Sequence, residues 1–206
     1  MEEAMEALRA AGATVDVVDL DLGKTPEDIS GGFSNMALAG AMGGMFAGYS
    51  DKAEQMTNYA NYFIEKSAKG GYGNEELFEA EQLALEIFTK MEEQVFEEGY
   101  AVMIVPTLPT SHIKADHDFT RDVTVDEGRE YPKLEGGLYT LPFNFNNWCP
   151  VISAPAGITE QNMPVGMQIV GLPKDTELVF QVAREYGKKA RPLFVEGRMP
   201  TFTSGG

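Results

Sequence analysis

The sequence predicts an α/β fold in which helices are layered on a mixed β-sheet, and three observations support this prediction. Short apolar runs that are typical of buried strands lie at residues 101–106 and 164–171. Amphipathic helical patterns alternate with these runs along the chain. A hydrophobic content of 43% over 206 residues is enough to bury a core. Because the sequence shows no repeat and no break in composition, we expect one domain over residues 1–206, with residues 199–206 as a flexible tail.

The beginning of the sequence predicts a helix followed by a strand. Met5 and Leu8 keep helical spacing, and Gly12 suits the position just after a helix. The three valines between residues 15 and 18 favour a strand. Helical character begins at the first residues without an N-cap, so we expect that the sequence enters an αβ unit partway.

Residues 31–48 are rich in Gly, Ala and Met, and this composition allows two interpretations. Small residues permit close backbone approach and Met fills irregular gaps, which favours a tightly packed, kinked helical segment. The alternative is a wall that faces the substrate, or a surface that binds a partner. Met and Ala at helical spacing more often belong to a core, so the first interpretation is preferred.

A long helix is predicted next, capped by Asn74 and ended by Gly99. Glu75 and Glu76 lie favourably in its first turn. Five residues form its approximate apolar stripe, namely Leu77, Leu83, Ile87, Met91 and Val95.

The remaining elements follow from apolar runs and polar interruptions. Residues 101–106 suit a strand that is buried on both faces, and residues 164–171 suit a second buried strand. Residues 111–136 are polar without a sustained period, and a loop of this length is often functional. A last helix is expected between Asp175 as its cap and Gly187 at its end.

The composition argues against several classes of function. A formal net charge of −16 is unsuited to nucleic acid and to anionic membrane surfaces. The single cysteine, Cys149, rules out an internal disulfide and fits a reducing, cytoplasmic setting. The N-terminal part of the sequence contains no apolar segment of the kind that is typical of a signal peptide. The uncharged residues 138–157 contain prolines and asparagines that would leave backbone groups unpaired in lipid, so we expect no membrane span.

The stretch HIKADHD contains four side chains that could bind a metal, namely His112, Asp116, His117 and Asp118. Their spacing fits no compact zinc motif. We therefore expect an ordinary polar loop, no metal and no cofactor.

Nucleophilic chemistry has weak support in the sequence. Cys149 lies between Trp148 and Pro150, and an apolar setting of this kind would raise its pKa, which favours a buried structural thiol. No serine lies in a G-x-S-x-G elbow; the serines are Ser30, Ser34, Ser50, Ser67, Ser111, Ser153 and Ser204. We therefore expect no catalytic residue in this chain.

Residues 138–157 form an uncharged ribbon with three prolines and three asparagines. Pro142 and Pro150 are expected to break helix and strand, so that the chain turns repeatedly while buried. Asparagine side chains would then bond the backbone locally, and Phe143, Phe145 and Trp148 would supply apolar area. The ribbon is expected to be a rigid internal scaffold behind a cleft.

Three motifs follow one another along the chain. They are YAVMIVPTLPT at residues 100–110, TLPFNFNNWCPVISAPAG at 140–157 and MPVGMQIVGLPKDTELVFQVA at 163–183. In this order they resemble the C-terminal part of the amidase signature family. The resemblance covers nearly the whole chain, although residues 24–73 and 111–136 match loosely.

The sequence departs from the family pattern near the expected pocket. Where the family strand often begins Tyr-Asp, this chain has Tyr100 and Ala101. The Asn-x-x-Gly-x-Pro turn is one residue longer here and lacks its glycine, running from Asn144 to Pro150. We therefore expect a substrate pocket that differs from that of the commonest members.

The resemblance also implies what this chain does not supply. The family uses a serine nucleophile, a second serine with a cis peptide bond, and a lysine, all in the N-terminal half, which contains a Gly/Ser-rich segment such as GSSGGS. No position of this sequence matches them. The resemblance therefore implies a C-terminal portion that completes the sheet and forms one wall of the substrate pocket without being catalytic alone.

Partners follow from the same resemblance. A small-molecule amide substrate would bind only together with the missing N-terminal half, and exposed apolar surface would favour homo-oligomers. Two alternatives remain open. One is a stand-alone remnant that binds or interacts without catalysis, and the other is part of an amidotransferase A-type subunit.

Four residues are candidates for the substrate pocket or its support: Thr107, Asn144, Trp148 and Gln168. Each also has a structural interpretation, respectively capping of a strand end, bonding within a loop, core packing and a hydrogen bond on a sheet face. The structural interpretations are preferred, because polar residues in buried turns usually satisfy the backbone.

Overall fold

The computed structural model describes residues 1–111, 113–114, 116–118, 120–126, 129–131 and 139–190. The described helices are α1 (Glu2–Ala10), α2 (Pro26–Ala39), α3 (Ala41–Ala47), α4 (Asn58–Lys69), α5 (Asn74–Met91), α6 (Leu141–Asn146) and α7 (Thr176–Gly187), with a 3₁₀ turn at Ser50–Gln55. The described strands are β1 (Met103–Pro106), β2 (Thr124–Asp126), β3 (Arg129–Tyr131), β4 (Val151–Ile158) and β5 (Pro164–Val170). No helix among these residues is long and apolar enough to cross a membrane.

The main sheet has three strands in the order β1-β5-β4, and both pairs are antiparallel. The predicted strands at 101–106 and 164–171 are confirmed as β1 and β5. Only Met103 of β1 is fully buried, because β1 lies at an edge of the described sheet. Strand β4 was not predicted, since Pro155 interrupts its pattern. An edge strand tolerates that proline, and the pairing shifts between Pro155 and Gly157.

Helices cover both faces of this sheet and form two core clusters. The first cluster packs α2, α5 and α6 against Met103 and Val170. The second packs α1 and α7 against Met167 and Ile169. Successive residues of β5 therefore alternate between the clusters, and Gln168 faces the same side as Val170. This arrangement confirms the predicted layering of helices on a sheet. The sheet was predicted to be mixed, whereas all strand pairs in the described part of the chain are antiparallel.

The beginning of the chain follows the prediction only in part. Helix α1 buries Leu8, and Gly12 adopts φ +98°, as a residue just after a helix often does. The predicted strand at residues 15–18 is wrong, because that stretch has no regular structure and Val17 is 83% exposed. Further along this segment, the Gln94 side chain bonds both the N–H and the carbonyl of Asp21, at 3.0 and 2.7 Å.

The predicted capping of two helices is wrong in detail. Asn74 is the first residue of α5, and the free N–H of Gly73 is satisfied by Glu76, whose Oε2 accepts it at 2.7 Å. Asp175 precedes α7 without a side-chain hydrogen bond to it. The predicted C-terminal ends of the two helices agree better with the structure. Helix α7 ends at Gly187 as predicted, and α5 continues into a π-helical turn at Glu92–Phe96, close to its predicted end at Gly99.

The segment rich in small residues is a pair of helices, α2 and α3, that meet at Gly40. This confirms a helical segment that is kinked at Gly40. The predicted tight packing holds for α2 and is wrong for α3, where Met42 and Met45 are exposed. Phe46 of α3 stacks on Phe63 of α4, with ring centroids 5.4 Å apart. The polar excursion after β1 contains the β2–β3 hairpin, which its composition did not predict.

Candidate functional site

The uncharged ribbon begins with a helix rather than with repeated turns. Helix α6 contains Pro142 in its first turn, where the missing N–H has no intrahelical partner to lose, so the expectation that Pro142 breaks a helix is wrong. Asn147 then adopts a left-handed conformation with φ 52° and ends the helix. Phe143 and Phe145 are buried in the first core cluster, as predicted.

Gln168 links the end of β1 to the beginning of the ribbon. Its side chain is 3% exposed. Its Nε2 donates to the carbonyl of Pro106 at 3.2 Å and to the carbonyl of Tyr139 at 3.1 Å. One buried amide therefore satisfies two carbonyls that belong to different segments. The predicted hydrogen bond on a sheet face is confirmed.

Thr107 directly follows β1 and attaches the end of this strand to β5. Its backbone N–H donates to the carbonyl of Gly166 at 3.1 Å, and its Oγ1 donates to the same oxygen at 3.2 Å. A Cβ on Gly166 would lie 3.1 Å from this Oγ1, so only a glycine fits comfortably there. The structural interpretation of Thr107 as a cap of the strand end is confirmed.

Trp148 and Asn144 lie on the surface of the ribbon. Trp148 is 46% exposed, so its interpretation as a core residue is wrong. Its ring meets Phe88 of α5 edge to face, with centroids 5.4 Å apart and planes at 81°. Asn144 is exposed on α6. The four candidates thus form two pairs, with Thr107 and Gln168 tied into the sheet and Asn144 and Trp148 at the surface.

Asn146 has an unusual environment that the sequence did not reveal. Its side chain is 2% exposed, and its Oδ1 accepts the N–H of Trp148 at 3.2 Å. Its Nδ2 is buried and has no acceptor within the described part of the chain. A buried donor of this kind requires an explanation, such as a bound water or a ligand that supplies an acceptor.

The polar loop contains no metal cluster within its described residues. The described ranges contain no group of three or more His, Cys, Asp or Glu side chains that could hold a metal ion, and His112 lies outside these ranges. Asp118 is instead occupied by protein donors, accepting from Thr120, Arg121 and Asn58. The hydrogen bonds from Thr120 and then from Arg121 hold the pKa of its carboxyl well below the usual range. Asp116 is exposed.

One serine–lysine pair has a spacing that is known from catalytic motifs. Ser111 and Lys114 have the S-x-x-K spacing of some acyl-transfer enzymes, in which the motif lies on a helix that brings both side chains to one face. Here the described residues of this stretch lie outside any helix, with Ser111 half-buried and Lys114 exposed. The spacing therefore carries no catalytic assignment.

Cys149 behaves as the structural thiol that its neighbours predict. It is half-buried and packs against the first core cluster. Burial, with a smaller contribution from the negative charge of Glu92, raises its pKa to about 11. A thiol with this pKa is neutral near pH 7 and is a poor nucleophile.

We therefore expect Cys149 to react slowly with iodoacetamide in the folded protein. At pH 8, a pKa of about 11 leaves about 100-fold less thiolate than the ordinary value of 9.0. Because this is the only cysteine, the alkylation rate can be read from the intact mass. The urea-unfolded chain is the matched control, and equal rates in both states would contradict the assignment.

Comparisons with known proteins identify the family. A family sequence model described as Amidase matches residues 1–180. The 6-aminohexanoate-cyclic-dimer hydrolase of Paenarthrobacter ureafaciens is 32% identical over 97 residues, which are 45% of this chain and 20% of that protein. The A subunit of the glutamyl-tRNA(Gln) amidotransferase of Latilactobacillus sakei is 34% identical over 112 residues, which are 52% of this chain and 20% of that protein.

Solved structures show the same fold. An amidase crystal structure superposes with a TM-score of 0.71 at 16% identity, covering 92% of this chain and 42% of that one. A bacterial aryl acylamidase of the amidase signature enzymes superposes with a TM-score of 0.64 at 19% identity, covering 94% and 44%. The matched part is thus a minority of each relative. Because the family match extends over most of the chain, this protein belongs to the amidase signature family.

Proposed function

We propose that this chain forms one wall of the substrate site of an amide hydrolase and completes its core sheet, while the reacting serine and lysine come from outside this chain. The observation that carries the proposal is the family match over residues 1–180, together with a sequence in which no position matches the family's serine and lysine motifs. The wall would consist of the ribbon and the adjoining ends of β1 and β5.

The contacts of the ribbon support a scaffolding role. The side chains of Gln168 and Thr107 donate hydrogen bonds that join the strands to each other and to the ribbon. Both side chains are therefore fixed in place, and these donor atoms are already bonded within the chain. Asn144 and Trp148 present exposed side chains from the same ribbon. A rigid segment that offers a few exposed groups is a common way to build a small-molecule site. We propose Asn144 and Trp148 as substrate contacts, and Thr107 and Gln168 as their support.

An amidase assay tests this proposal. The purified chain is measured alone and after mixing with the N-terminal half of a related amidase, with hexanamide and acetamide as substrates. We expect hydrolysis only in the mixture. Turnover by the pure chain that a serine-directed inhibitor abolishes would overturn the proposal. A stable monomer that is inactive in both conditions would favour a non-catalytic binding remnant instead.

The similarity to amidotransferase A subunits supports a second candidate. In that case the chain would be part of an A-type subunit that works with partner subunits. The mixture of this chain with the N-terminal half of a related amidase distinguishes the two candidates. An amide hydrolase would hydrolyse simple acyl amides in this mixture without a further subunit. Hydrolysis that appears only after amidotransferase partner subunits are added would favour the second candidate.

Exposed apolar side chains support self-association of the isolated chain. The exposed fractions of Val17, Phe180 and Phe78 are 83%, 63% and 60%. Large exposed apolar groups favour contact with another polypeptide. We expect the isolated chain to form homo-oligomers that dissociate when the N-terminal half of a related amidase is added. Light scattering during size-exclusion chromatography would measure the molar mass before and after the addition.

A further inference from the structure

Helices α3 and α4 form a helical hairpin, with the 3₁₀ turn at Ser50–Gln55 between them. The two helices pack on each other, and the hairpin meets the rest of the described chain mainly through α2. The ring of Phe63 on α4 stacks on Phe46 of α3, with centroids 5.4 Å apart. It also meets the rings of Tyr59 and Tyr62 edge to face. The hairpin therefore has a small aromatic core of its own.

The outer side of this hairpin carries four exposed apolar or aromatic side chains. Met42, Met45 and Tyr49 recur at helical spacing along α3 and just after it, with exposed fractions of 39%, 50% and 43%. Tyr59, in the first turn of α4, is 49% exposed. The stacked rings of the hairpin core join the two helices beside Tyr59, so α3 and α4 contribute to one surface. We call these four residues the hairpin surface.

The hairpin is nearly free of charge although the chain is strongly acidic. Residues 29–64 contain three charged side chains, Asp51, Lys52 and Glu54, which give this stretch a net charge of −1. The whole chain has 16 basic and 32 acidic residues and a net charge of −16, so nearly all of the negative charge lies elsewhere. Exposed Met and Tyr with few charges are typical of surfaces that bind another polypeptide.

The distribution of charge indicates that the partner is a second copy of this chain. Two copies that each carry a charge of −16 repel one another, so they meet at the lowest cost through a face that is nearly neutral. In a two-fold dimer the same patch meets itself. The few charges beside the hairpin surface suit such a contact, because Lys52 of one copy can approach Asp51 or Glu54 of the other copy.

We propose that the hairpin surface is a homodimer interface, in which α3 and α4 of one copy pack on α3 and α4 of a second copy. The inference goes beyond the proposed function and does not depend on it, since none of the residues assigned to the substrate site belongs to the hairpin surface. The 12-residue α4 is about 18 Å long, so each copy contributes a small area. Small interfaces are weak, and we expect a Kd of about 1–100 µM for this dimer.

Sedimentation equilibrium of the purified chain at increasing concentrations measures this association. We expect the weight-average mass to rise from 22.5 kDa toward at least twice that value. Met45→Glu adds one like charge from each copy to the interface and should weaken association about 10-fold or more. Its circular dichroism should not change, because Met45 is half exposed. Met163→Glu is the matched control, since Met163 is 46% exposed in the turn between β4 and β5. Equal association of the two variants, or a wild-type chain that stays monomeric, would overturn the proposal.

Cross-linking shows which surface meets which, and it requires no loss of association. A flexible bis-maleimide is added to Met45→Cys and, as the control, to Met163→Cys. Both variants keep the half-buried Cys149, so a difference between them comes from the added cysteine. We expect covalent dimers from Met45→Cys and few from Met163→Cys. Equal yields from the two variants would contradict the assignment of the interface.

Other occupants of the hairpin surface would give different results. Oligomers held by Val17, Phe78 and Phe180 are expected to dissociate to this dimer when the N-terminal half of a related amidase is added, and Met45→Cys should still form covalent dimers. Loss of these covalent dimers, with Met45→Cys protected from maleimide by the added half, would identify contact with that half and overturn the proposal. Flotation of a monomeric chain with neutral phosphatidylcholine vesicles, lost in Met45→Glu, would identify a lipid surface and would also overturn it. Neither result would change the proposed function, which the amidase assay decides.

Discussion

Replacing Gln168 by leucine is expected to lower the free energy of unfolding by about 2–5 kcal/mol. The amide donates to two carbonyls, those of Pro106 and Tyr139, and the side chain is 3% exposed. Leucine would leave both carbonyls without this donor, and each unsatisfied buried group costs about 1–3 kcal/mol. The loss should separate the ribbon from β1 as well as destabilise the sheet.

Urea unfolding followed by circular dichroism measures this effect. Gln181→Leu is the matched control, because Gln181 is an exposed residue of α7 whose side chain bonds Glu177 one turn away. We expect the control to change stability by less than about 0.5 kcal/mol. Equal effects of the two substitutions would show that the two hydrogen bonds of Gln168 do not hold the ribbon.

The second large effect is expected at Gly32 of α2. A Cβ at this position would lie 2.6 Å from Leu83 Cδ2 and 2.7 Å from Phe145 Cζ. Phe145 is almost fully buried, so its ring has little room to move. Overpacking of a core costs about 1–3 kcal/mol, and the better helix propensity of alanine recovers at most about 1 kcal/mol. Gly32→Ala is therefore expected to destabilise the protein by about 1–2 kcal/mol.

The adjacent glycine provides an internal control. A Cβ on Gly31 would meet nothing within 4 Å. Gly31→Ala should therefore gain the propensity of alanine and stabilise the protein by about 0.5–1 kcal/mol. The two variants have opposite expected signs in the same urea titration. Destabilisation by both, or by neither, would contradict the close packing of α2 on α6.

Sequence reasoning succeeded where a strong period or an apolar run dominated. The long helix α5 and the central strand β5 were predicted because their residues are buried by regular patterns. The strand at residues 15–18 failed because β propensity needs a neighbouring strand, and no described strand pairs with that stretch. Strand β4 was missed because Pro155 interrupts its strand pattern. A proline is compatible with a strand at the edge of the described sheet, and only the order of the strands reveals that β4 lies at such an edge.

The sequence indicated which residues belong to the candidate site more readily than it indicated the role of each residue. Gln168 and Thr107 were expected to satisfy the backbone, and their partners confirm this. Trp148 was expected in the core, because apolarity alone does not indicate which side of a ribbon faces solvent. The unpaired donor of Asn146 depends on the fold around it and has no sequence signature. The substrate contacts of Asn144 and Trp148 remain predictions.

Covalent labelling tests the central claim, namely that this chain shapes the site while the reacting serine lies elsewhere. An active mixture of this chain and the N-terminal half of a related amidase is treated with a fluorophosphonate, and the intact mass of each polypeptide is measured. We expect one adduct on the N-terminal half, loss of hexanamide hydrolysis in proportion to that adduct, and an unchanged mass for this chain. A stoichiometric adduct on a serine of this chain, accompanied by the same loss of activity, would contradict the central claim.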